Sequence, residues 1–67
     1  MAYDKEIAEI LSDNDWHSTK EITRKITKMR KKEANWHLVY RELRRLKDGG
    51  SVDMIEKSMI ILWKLKK

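Results

Sequence analysis

A chain of 67 residues without cysteine has neither disulfides nor thiolate-bound metal to stabilise it, so a small core must come from packed helices, a small sheet or a partner chain. Its +5 charge is unevenly spread: residues 1–23 carry two Lys against six acids, residues 24–47 ten Lys or Arg against two acids, and residues 48–67 four Lys against three acids. The positive potential therefore sits in the middle third and favours a polyanionic partner, while a five-residue apolar run, Met59–Trp63, is far too short for a bilayer span of about 20 residues.

Tyr3, Ile7, Ile10 and Leu11 recur at helical spacing and predict a first amphipathic helix over residues 3–12. Asp4, Glu6 and Glu9 near its start suit the helix dipole, and the run SDND at 12–15 ends it. Ser18-Thr19-Lys20-Glu21 has the form of a capping box and predicts a second helix over 19–31, with Ile22, Ile26 and Met29 on one stripe. Trp16 and His17 precede the cap in an extended segment, with Trp16 expected in the core or as a hydrophobic staple.

A third helix is expected over 33–48. Trp36, Val39, Leu43 and Leu46 fall within about 80° of one another on a helical wheel and form its core-facing seam, with Trp36 at the edge. For Trp36 the core is preferred to a base contact. Gly49-Gly50 supplies a left-handed residue to close the helix. The period then becomes alternating, which predicts a hairpin over about 51–56 and 59–65, turning at Glu56-Lys57-Ser58. Ile61, Trp63 and Leu65 share one strand face; Ile60, Leu62 and Lys64 share the other.

Opposite the seam the third helix carries Ala34, His37, Leu38, Arg41, Arg44 and Arg45, with Tyr40 at the flank. A helix needing only solubility mixes charge signs; this face is arginine and histidine with almost no acid. The planar fork of arginine suits both phosphates and guanine edges, and Leu38 and Ala34 suit thymine methyls. The face is therefore read as a nucleic-acid surface.

With these residues placed, the chain resembles a winged helix-turn-helix DNA-binding domain. The segments STKEITRKI, NWHLVYRELRRLKDGGSV and IILWKL carry the likeness, through Val39, Leu43, Leu46, Gly50, Val52 and the ending Trp63-Lys64-Leu65. The resemblance implies an α+β fold, a single three-helix domain over residues 1–67 with a C-terminal β-hairpin wing. It also implies a third helix in the major groove of double-stranded DNA. Carried onto this sequence, Asn35, His37, Leu38 and Arg41 become base-edge candidates. Arg30, Lys31, Lys32, Tyr40, Arg44, Arg45 and Lys57 become phosphate candidates. The expected role is sequence-specific DNA binding by a small transcriptional regulator.

The alternative is a protein-docking or dimerisation module whose basic face is incidental, with Ile60 and Leu62 as its sticky surface. A homodimer through the first helix or the hairpin is a further expectation. No enzyme, metal site, cofactor or small-molecule ligand is expected: there is no thiol nucleophile and no glycine-rich loop, and the two histidines lie twenty residues apart without a fixed carboxylate partner. With no signal peptide or membrane span visible, an intracellular, cytoplasmic location is the expectation. The charge load, with no Gln and two Asn, leads to the expectation of a thermophilic source.

Overall fold

The protein was analysed as a computed structural model that describes residues 3–66. Its elements run α1 (Asp4–Ile10), a 3-10 turn (Leu11–Asp13), β1 (His17–Ser18), α2 (Thr19–Arg30), α3 (Trp36–Asp48), β2 (Val52–Lys57) and β3 (Ile60–Leu65). This is the α+β winged helix-turn-helix arrangement. The strands form one antiparallel sheet in the order β1-β3-β2. Ile7, Ile10 and Leu11 meet Ile22 and Ile26 of α2, Val39 and Leu43 of α3, and Val52 and Trp63 of the sheet in a single core.

Each helix end has a local cause. At α2 the Ser18 hydroxyl accepts from the Glu21 N–H at 3.0 Å, but the Glu21 carboxylate turns to His17 and Lys25, so only half of the expected capping box forms. Lys31, with a left-handed φ of 54°, stops α2. The connection to α3 is held by tertiary bonds: Thr27 Oγ1 accepts from the Ala34 N–H at 3.0 Å, and the Tyr3 hydroxyl from the Asn35 N–H at 3.1 Å. These bonds keep residues 33–35 out of helix, so α3 begins three residues later than the sequence pattern suggests.

Three further placements differ. Ala34, expected on the outward face, is buried in this connection, and Met29, near the C-terminal end of α2, is exposed. Trp36, placed on the seam by the helical wheel, is 47% exposed. It occupies the first position of α3, where no preceding turn packs against it. α3 closes on Gly50, whose φ is 84°, with Ser51 N–H bonded to Leu46 C=O and Gly50 N–H to Lys47 C=O.

The hairpin turn is Ser58-Met59, not Glu56-Lys57-Ser58. Both residues have positive φ, 49° and 68°, the geometry of a tight type I′ turn between the paired Lys57 and Ile60. Side-chain alternation along the sheet buries Trp63 and sets Ile55, Ile60 and Leu62 on the opposite face. Trp16, expected as core or staple, is half-buried at the sheet edge with the Lys64 ammonium 5.6 Å from its ring centroid.

Candidate nucleic-acid interface

Burial of Val39, Glu42 and Leu43 turns the other side of α3 to solvent. His37, Leu38, Arg41, Arg44 and Arg45 of the sequence-predicted face are all exposed there, whereas Ala34 is buried in the connection before it. Asp48 ends it, which confines the positive surface to the first three turns. Asn35 lies at its N-terminal tip as the cap of α3, its Oδ1 accepting from the His37 and Leu38 N–H groups at 2.9 and 3.3 Å. This leaves the Asn35 amide NH2, rather than its oxygen, to meet a partner.

The cations divide by what already holds them. Arg30 donates to Glu6 at 2.8 Å and lies over the Tyr3 ring, 4.4 Å from its centroid. Its hydrogen bond to Glu6 holds the guanidinium pKa above, and the carboxyl pKa below, the usual values. Arg44 donates to the Tyr40 hydroxyl at 3.2 Å, and Arg45 to the buried carboxylate of Glu42. By contrast Lys31, Lys32, Arg41 and Lys57 are exposed and unpaired among the described residues. Sequence reasoning did not single out Lys20, Arg24 and Lys28, which are exposed along α2.

Aromatic rings connect this face to the core. Trp36 stacks on Tyr40 with centroids 5.6 Å apart and planes 7° from parallel; Tyr40 meets Trp63 edge-on at 6.0 Å. His37 lies edge-on to Trp36 at 5.2 Å. Beside them lies a cleft of about 310 Å3 between the starts of α2 and α3 and the β2–β3 turn.

His17, expected to lack a carboxylate partner, has two. Its Nδ1 lies 2.6 Å from Glu21 Oε2 and its Nε2 2.9 Å from both Asp13 oxygens. Only a doubly protonated ring donates at both nitrogens. Burial opposes that charge, yet the bonds to Asp13 and Glu21 outweigh it and hold the His17 pKa above its usual 6.5. The same bonds hold the Asp13 and Glu21 carboxyls below their usual 3.8 and 4.5. The raised histidine stabilises fully below 6.5 and loses its contribution as pH rises through its folded value; the carboxylates lose theirs as pH falls through their lowered values. The melting temperature is therefore expected to be highest between pH 4.5 and 6.5 and to fall on both sides. Thermal denaturation of His17→Gln across pH checks this: an undiminished alkaline fall in the variant refutes the clamp.

The two carboxylates lie at opposite ring nitrogens, and no cluster of three or more His, Cys, Asp or Glu side chains among the described residues is arranged to hold a metal ion. No described helix is long and apolar enough to cross a membrane.

No family model matches the chain, and no curated protein matches it. Among solved structures, it is similar to a chain in the complex structure of hsRosR-S1, with a TM-score of 0.90 and 22% identity. The match covers 100% of this chain and 60% of that one, so this protein spans about three fifths of its neighbour's length. The likeness is one of fold, and it extends over every element from α1 to β3.

Proposed function

We propose that this protein binds double-stranded DNA sequence-specifically, laying α3 in the major groove, and acts as a small transcriptional regulator. The exposed strip of His37, Leu38, Arg41, Arg44 and Arg45, back to back with the buried Val39–Leu43 seam, carries this reading. A 13-residue helix is about 20 Å long and about 10–12 Å across with its side chains, a fit to a groove about 12 Å wide. Asn35, His37, Leu38 and Arg41 then lie nearest the base edges. Lys31, Lys32, Lys57 and the tethered Arg30, Arg44 and Arg45 face phosphates, with the Tyr40 hydroxyl among them.

Fluorescence anisotropy of labelled duplex DNA across a salt series tests the reading. With about five phosphates neutralised, log K is expected to fall against log salt with a slope near −4.5. Absence of binding at low salt from a folded sample refutes it. That result favours the second reading, a docking or dimerisation module, which the exposed Ile55 and Ile60 on the outer sheet face support.

A further inference from the structure

The order β1-β3-β2 makes β2 an edge strand, with no neighbouring strand on its outer side among the described residues. Asp53, Ile55, Glu56 and Lys57 are exposed along it. A two-residue turn closes on a pair that exchanges both backbone bonds, here Lys57 and Ile60, and bonding then alternates along the ladder. Asp53, Ile55 and Lys57 therefore direct their backbone groups at β3, while the N–H and C=O groups of Met54 and Glu56 point away from it. Such an edge is a template for a further strand unless its side chains prevent the pairing.

The charges on β2 decide which strand fits. Asp53, Ile55 and Lys57 share the outer sheet face, in register with Lys64, Leu62 and Ile60, and neither Asp53 nor Lys57 has an ion-pair partner among the described residues. A second copy of β2, antiparallel about a two-fold axis, can be centred on any residue from 53 to 57. Centring on Asp53, Glu56 or Lys57 sets like charges face to face, and centring on Met54 sets Asp53 opposite Ile55 of the second copy. Centring on Ile55 sets Asp53 opposite Lys57, and symmetry makes that contact twice. This register also places Met54 opposite Glu56, so that their outward backbone groups exchange bonds. The two Ile55 side chains, 40% exposed in a single chain, then form a non-bonded pair, where side chains approach most closely.

We propose that two copies of this protein pair antiparallel through β2, with Ile55 of each at the two-fold axis and Asp53 of one opposite Lys57 of the other. The same charges that guard the edge against other registers select this one. The inference stands independently of the DNA-binding reading. A two-fold axis normal to the joined sheet keeps both cores on one side of it, and with them both α3 helices, which pack through Val39 and Leu43 on the Val52 and Trp63 face. The Asp53–Lys57 pair lies at the surface, where such a pair is weak, so Lys57 keeps the freedom to turn to a phosphate.

Sedimentation equilibrium of the full chain is expected to show a reversible monomer–dimer equilibrium. Asp53→Lys and Lys57→Asp are each expected to raise the dimer dissociation constant on the order of fivefold, and the double variant to return it to the wild-type value. Glu56→Pro removes a donor that β3 does not use, so it is expected to melt cooperatively like wild type yet dimerise on the order of tenfold more weakly. Hydrogen exchange reads the register directly. The Met54 and Glu56 amides are expected to gain protection as concentration rises, while the Ile55 amide, bonded to β3, is protected throughout. A chain that stays monomeric to about 1 mM overturns the proposal. A dimer indifferent to Asp53→Lys and Glu56→Pro, or one that the double variant fails to restore, overturns it as well, because the copies then meet through another surface or register.

Discussion

Replacing Arg41 by alanine is expected to cost about 1–3 kcal/mol of binding to the preferred DNA site, roughly 5- to 160-fold in Kd, and to flatten discrimination at one base pair. Two observations single this residue out. It projects from α3 almost opposite the buried Val39–Leu43 seam, and its guanidinium has no partner among the described residues. A free planar fork has its donors available for the N7 and O6 of a guanine, with no internal bond to break first. The measurement is a competition series with every single-base variant of the preferred site. A loss shared equally by all variants, with a salt slope reduced by about one, makes Arg41 a phosphate contact and refutes base reading.

The other arginines predict a different pattern. Arg45 neutralises Glu42, whose carboxylate is buried under α3, so Arg45→Ala strands a buried charge and mixes folding with binding. Arg30 is bound to α1 through Glu6 and Tyr3, and Arg44 to its own helix through Tyr40. These tethers limit the reach of three phosphate candidates. They shift the burden of flexible contact onto Lys31, Lys32 and Lys57.

What was legible in the sequence was what is encoded locally. Val39 and Leu43 declare a buried seam through a spacing of four, Gly50 declares a helix end, and Ser18 declares a helix start; all four behave accordingly. Trp36 misled because a helical wheel assumes a full turn of neighbours on either side, which the first residue of a helix lacks. Ser58-Met59 escaped notice because neither residue favours positive φ; the strand pairing on both sides imposes it. The His17 clamp was hidden in a regular spacing. Asp13, His17 and Glu21 are four apart, but they belong to a 3-10 turn, a strand and a helix, so no single period describes them. The cleft joins residues from the beginning, middle and end of the chain and appears only after β3 has paired with β1.

Trp63→Ala is expected to be the most damaging single substitution for the fold. Trp63 is fully buried on β3, aligned with His17 of β1 and Met54 of β2, and its Nε1–H donates to Thr19 Oγ1 at 2.7 Å. It thus ties the middle of the sheet to the first residue of α2, while Tyr40 rests edge-on against it. Removing such a ring costs about 3–5 kcal/mol. At roughly 0.05–0.15 kcal/mol per residue, a chain of this length has only about 3–10 kcal/mol to lose. Urea denaturation is expected to show little or no folded baseline for Trp63→Ala. Trp63→Phe keeps most of the volume but deletes the donor to Thr19, and an intermediate loss of about 1–3 kcal/mol is expected. Trp36→Ala, at a half-exposed position, serves as the control and is expected to lie within about 1 kcal/mol of wild type. The ordering is the decisive outcome. A Trp63→Ala protein as stable as Trp36→Ala would mean that the core does not close around β3, and that the stack through Tyr40 to the exposed Trp36 indole has no rigid base.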